Sequence, residues 1–118
     1  MMHYELDSWK LSRKFVREIY RATEELPQHE LYGLAAQLRR AAVSVTSHIA
    51  EGAGRETAAD YRHFLVMARA SLSEIDSQLI LSNDLDFLAD DTTENLRQKA
   101  RRIRAVLNGQ IRSLNTPH

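Results

Sequence analysis

The chain has 118 residues, with 16 Lys plus Arg against 16 Asp plus Glu, 43% apolar residues, 27% charged residues and no Cys. At this length a single domain over residues 1–118 is expected, and the apolar share argues against a disordered chain. The absence of Cys excludes a disulfide framework, a thiolate metal site and a cysteine nucleophile, and zero net charge removes the simplest argument for a nucleic-acid binder.

The start, Met1-Met2-His3-Tyr4-Glu5-Leu6-Asp7, lacks the basic and then apolar pattern of a signal peptide. Nowhere do ~18 apolar residues run uninterrupted, so no membrane span is expected and the location read is cytoplasmic. Breakers are few, at Pro27, Gly33, Gly52, Gly54, Gly109 and Pro117, which favours helices.

The first helix is expected at about 7–26, with the stripe Trp9, Ser12, Val16, Ile19, Thr23 and Leu26, widened by Phe15, Tyr20 and Ala22. Asp7 or Ser8 is read as its cap, and Pro27 as its stop. The second, at about 31–50, carries Leu31, Leu34, Leu38, Ala41 or Ala42, Val45 and Ile49. Its surroundings are small (Ala35, Ala36, Ser44, Ser47, Ala50), so it is placed most deeply, inside the bundle or against a second subunit. It is expected to stop at Gly52-Ala53-Gly54, with Gly52 in a left-handed conformation.

A third helix at about 57–83 opens on Thr57 with Asp60 three residues on, close to a capping box. Its stripe is Tyr61, Leu65, Ala68, Leu72, Ile75, Leu79 and Ser82, and Phe64, Met67 and Ile80 make it apolar on more than one side. From Asn83 to Asp91 the chain reads as an acidic loop that lays Leu85, Phe87 and Leu88 over one end of the bundle. The fourth helix, at about 92–114, uses Leu96, Ala100, Ile103, Leu107, Ile111 and Leu114. Four helices with short loops predict an all-α, antiparallel up-down-up-down bundle with left-handed packing.

Charge is balanced but unevenly placed. Residues 91–118 hold six Lys or Arg against Asp91 and Glu94, and residues 61–90 hold Arg62 and Arg69 against five acids. Arg97, Arg101 and Arg104 are four and three apart and share a face. Two readings of that face stand: a row that tracks phosphates, or a solvated surface neutralised by the acidic third-helix region.

Catalytic and cofactor signatures are missing. The stretch Glu51-Gly52-Ala53-Gly54-Arg55-Glu56 has Thr57 where a dinucleotide fingerprint needs its third Gly, and it lacks the Gly-Lys-Ser/Thr of a phosphate loop. Asp60 and His63 share a face as in one half of a di-iron motif, but no second copy exists. No acid is placed to orient His48 for Ser44 or Ser47. The chain is therefore read as non-enzymatic, with no cofactor and no metal.

One string is specific: Tyr32-Gly33-Leu34, Gln37-Leu38-Arg39-Arg40-Ala41-Ala42-Val43-Ser44-Val45, Ile49-Ala50-Glu51-Gly52 and Gly54-Arg55. Leu6, Trp9-Lys10, Phe64-Leu65, Ser71-Leu72, Glu74 and Gln78-Leu79 extend it over nearly the whole chain. It resembles the bacterial four-helix-bundle family first noticed as proteins encoded in intervening sequences of large-subunit ribosomal RNA genes. That family is related to the basic, pentameric accessory variability proteins of diversity-generating retroelements, which work with a reverse transcriptase and nucleic acid.

The resemblance implies a ring-forming subunit, with a homopentamer favoured, that serves as a scaffold or accessory protein binding RNA or DNA or a nucleic-acid-processing partner such as a reverse transcriptase. The alternative is a pure protein–protein interaction module without nucleic-acid contact. Matched positions to suspect are Arg39, Arg40 and Arg55, to which the charge reading adds Arg97, Arg101, Arg102 and Arg104. Where the family reads Ser-Asn-Ile-Ala-Glu-Gly this chain has His48, so a hydrogen bond made there becomes sensitive to pH.

Overall fold

The computed structural model describes residues 6–115. Four helices follow one another: α1 (Asp7–Thr23), α2 (Leu34–Ala53), α3 (Ala58–Asp84) and α4 (Asp90–Asn115), with one 3-10 turn at Gln28–Glu30. No strand occurs among the described residues. The helices form a bundle of 50 × 21 × 19 Å in which α2 packs most extensively on α3, and α1 touches both α2 and α4.

The apolar steps of all four helices converge on one core, whose fully buried members include Phe15, Ile19, Leu38, Val45, Ile49, Leu65, Ile75 and Leu107. On α1 the buried face is Ser8, Ser12, Phe15, Ile19, Ala22 and Thr23. It is rotated by about one residue from the expected stripe, because the larger Phe15 (1% exposed) takes the interior place given to Val16.

The helix ends shift for local reasons. Neither Asp7 nor Ser8 caps α1; Leu6 stands at its N-cap without a side-chain bond, and Ser8 is buried. At the other end α1 stops at Thr23, four residues before Pro27. The Thr23 hydroxyl donates to the Ile19 carbonyl at 2.7 Å, and the chain tightens through Glu25→Ala22 and Leu26→Thr23 backbone bonds that turn Leu26 inward. Leu31–Gly33 is a turn, not the start of α2. The carboxylate of Glu30 accepts from the Leu34 N–H at 3.0 Å and so satisfies an N-terminal donor of α2.

Gly52 is the main correction. It lies inside α2, no glycine among the described residues has positive φ, and the helix runs on to Ala53. Its lack of a side chain answers a close approach: a Cβ there would lie 2.9 Å from Cβ of Phe64 and 3.0 Å from Cδ1 of Tyr61 on α3.

Thr57 caps α3 as expected, accepting from the Asp60 N–H at 3.1 Å. The other end of α3 closes with Asp86 at φ 63°, Phe87 N–H to Ser82 C=O at 2.8 Å and Asp86 N–H to Asn83 C=O at 2.9 Å, the bonding of a Schellman motif. Of the loop's apolar residues Leu88 is buried and Phe87 half-buried, but Leu85 faces solvent. Helix α4 starts two residues early, at Asp90, whose carboxylate accepts from the Asn83 amide at 2.7 Å.

Candidate nucleic-acid interface

The seven arginines singled out in the sequence do not form one surface. Arg39, on α2, is half-buried: its Nε donates to Thr23 Oγ1 at 2.9 Å and its guanidinium lies 4.9 Å from the centre of the Tyr20 ring. It ties α2 to the end of α1, so its charge is engaged within the bundle. Arg40 beside it is exposed and has no ion pair among the described residues. Arg55, between α2 and α3, stacks on Phe64 at 4.6 Å.

On α4 the row Arg97, Arg101 and Arg104 faces α3. Arg97 donates from Nε to Asp76 Oδ1 at 2.8 Å, and that carboxylate raises its pKa above the ordinary arginine value, chiefly through the hydrogen bond. Arg101 reaches Glu94 Oε1 at 2.7 Å, and Arg104 donates to the Ser73 hydroxyl at 2.9 Å. Two of the three cations are thus matched by carboxylates, which weakens this row as a phosphate track. Arg102 points the other way, into the α1–α4 groove, where Lys14, Lys99 and Leu11 also lie.

The dense basic surface is on α1. Lys10, Arg13, Lys14, Arg17 and Arg21 are all exposed, and none has an ion pair among the described residues. Lys10, Lys14, Arg17 and Arg21 are spaced four, three and four apart, which puts them in one row along the helix. Arg13 lies 5.6 Å over the ring of Trp9, and a broad concavity is lined by Trp9, Lys10, Arg13, Lys14 and Arg17. The single acid in this stretch, Glu18, is paired with Lys99 of α4. The same spacing of cations marks α1 in the sequence, but residues 1–30 hold six acids beside its five Lys and Arg, so the segment as a whole does not read as basic.

The remaining sequence features are dispersed. Asp60 and His63 are exposed, and no group of three metal-ligating side chains occurs among the described residues. His48 is half-buried 6.2 Å from Phe64, and its Nδ1 has no hydrogen-bond partner there. Among the described residues no helix is long and apolar enough to cross a membrane.

An all-α bundle of four helices with its charged side chains on the outer faces defines the class. Residues 4–109 match the family described as 23S rRNA-intervening sequence protein, and the chain belongs to that family. No curated protein sequence matches it. Among solved structures it is similar to a protein of unknown function from the S23 ribosomal protein family of Bacteroides thetaiotaomicron, with TM-score 0.83 and 18% identity over 95% of this chain and 99% of that one. At that identity the likeness concerns the fold.

Proposed function

We propose that the chain is a non-enzymatic scaffold that holds nucleic acid along α1 and presents it to a nucleic-acid-processing protein, such as a reverse transcriptase. The observation that carries this reading is the exposed, unneutralised row on α1. From Lys10 to Arg21 the helix rises about 16 Å, the length of about five nucleotides of one strand at ~3.4 Å each. Arg102, from across the α1–α4 groove, widens the track. Zero net charge does not oppose binding, because affinity follows the phosphates neutralised at the contact and not the sum over the chain.

The helices are read as running alternately up and down with left-handed packing. Gly52 against Phe64 near one end of α2, and Gln37 bonded to Gln78 at 3.2 Å near the other, support that course. Five such bundles are proposed to close into a ring. The small outer residues of α2 and the surplus apolar residues of α3, with Val43 and Ile80 exposed, offer a contact that a fixed rotation repeats.

Light scattering during size exclusion tests the ring: five chains of 13.5 kDa give about 68 kDa, and a 13.5 kDa species removes it. Fluorescence anisotropy of a labelled duplex, repeated over a salt series, tests the ligand. A steep negative slope is expected; absence of binding, or a flat response, leaves a protein-interaction module without nucleic-acid contact.

A further inference from the structure

The end of the bundle formed by the α1–α2 and α3–α4 connectors is acidic. The two connectors meet there, with the rings of His29 and Phe87 edge to face at 6.1 Å. The Gln37–Gln78 bond sets the first turns of α2 beside the last turns of α3. Residues 24–33 and 81–93 contain Glu24, Glu25, Asp84, Asp86, Asp90 and Asp91, besides the capping Glu30, and no Lys or Arg. None of those six carboxylates has an ion pair among the described residues.

The same end carries apolar side chains in the open. Tyr32 is 91% exposed, Leu85 53% and Leu81 48%, the three most exposed large apolar residues described. Next to Tyr32 a groove of about 310 Å³ runs between the end of α1 and the start of α2, with Leu26, Pro27, Leu31 and Ala35 along it, Glu24 at its margin and Arg39, held by Thr23, at its inner wall. Isolated exposed apolar residues are ordinary, but several of them on the same end of a bundle as unpaired like charges mark a contact surface.

We infer that this acidic end binds a Lys- and Arg-rich amphipathic segment of a partner protein. Apolar side chains of that segment seat against Tyr32, Leu81 and the groove by Leu31, and its cations meet the surrounding carboxylates. The charge argues for such an occupant and against others, since phosphates of nucleic acid and anionic headgroups are repelled here. The carboxylates are spread around the end, and no cation-binding group of three occurs among the described residues. The inference does not depend on the reading of α1: the two surfaces have opposite charge and share no residue.

The test uses the full chain and a synthetic helical peptide with Leu at helical spacing and Lys elsewhere, against a scrambled peptide of the same composition. Amide shifts in two-dimensional NMR are expected at residues 24–33 and 81–93, and not along α1. Tyr32→Ser with Leu81→Ser, both exposed positions, is expected to weaken binding about tenfold. Asp84→Asn with Asp91→Asn is expected to weaken it and flatten its salt dependence. Lys14→Glu with Arg17→Glu, which reverses the charge at the middle of the α1 row, leaves the peptide affinity unchanged or higher. Equal binding of the scrambled peptide, shifts centred elsewhere, or insensitivity to both variants at this end overturns the inference. So does a concentration-dependent rise in the mass of the chain alone that Tyr32→Ser with Leu81→Ser abolishes, because the surface is then a contact between copies.

Discussion

Gly52 of α2 rests directly on Phe64 of α3, with room for a hydrogen but not for a methyl group. A Cβ at Gly52 would meet Phe64 Cβ at 2.9 Å, Tyr61 Cδ1 at 3.0 Å and the Tyr61 carbonyl oxygen at 3.3 Å. Cβ and backbone atoms cannot swing aside, so relief requires the two helices to part. Alanine in a helix is worth about 1 kcal/mol over glycine, while overpacking a tight contact costs about 1–3 kcal/mol. Gly52→Ala is therefore expected to lower stability by up to about 2 kcal/mol, read as a lower urea midpoint at unchanged slope. A rise in midpoint would show that the helices have room to separate.

Asp86 holds the left-handed position of the Schellman motif that ends α3. That conformation costs an L-residue roughly 1–2 kcal/mol and glycine almost nothing, with Asp intermediate. Asp86→Gly should raise stability by up to about 1 kcal/mol, and Asp86→Val should lower it, both measured by thermal unfolding.

Ser8 is buried on α1, and its hydroxyl has no partner among the described residues. An unpaired buried hydroxyl costs about 1–3 kcal/mol, and Ala is also the better helix former. Ser8→Ala should stabilise the chain by about 1 kcal/mol; an equal loss would mean that the hydroxyl bonds where none is seen.

Burial raises the Tyr61 hydroxyl above its ordinary value of 10.0. The folded chain favours the neutral phenol, so this contribution is complete below the unfolded value of about 10 and is lost as pH climbs through the folded one. Stability should fall on that alkaline limb, and Tyr61→Phe should make the fall shallower. Denaturant midpoints between about pH 9 and 11 check the sign.

Much of the fold was legible because helix periodicity is a strong local signal. Leu38, Val45 and Ile49 on α2 and Leu65, Leu72 and Ile75 on α3 lie inside as their spacing predicts. What was not legible depends on partners distant in sequence. Gly52 reads as a helix stop until Phe64 is seen beside it. The end of α1 falls at Thr23 because a hydroxyl competes for the helix carbonyls, while Pro27 was the more visible stop. Arg39 reads as a candidate nucleic-acid contact and Arg97 as part of an outer charged face, yet one braces Thr23 and the other Asp76. Spacing alone cannot separate the α4 row from the α1 row. Only the placement of Asp76 and Glu94 shows which one is neutralised.

The central claim is that α1 carries the polyanion contact, and the most direct measurement compares two charge reversals on a labelled duplex across a salt series. The parent, with four or five contacts, is expected to give a log–log slope of about −4. Lys14→Glu with Arg17→Glu should reduce affinity more than about tenfold and make the slope shallower by about 2. Arg101→Glu with Arg104→Glu, whose cations already face Glu94 and Ser73, should change both much less. An α1 variant that binds with the affinity and slope of the parent would contradict the account.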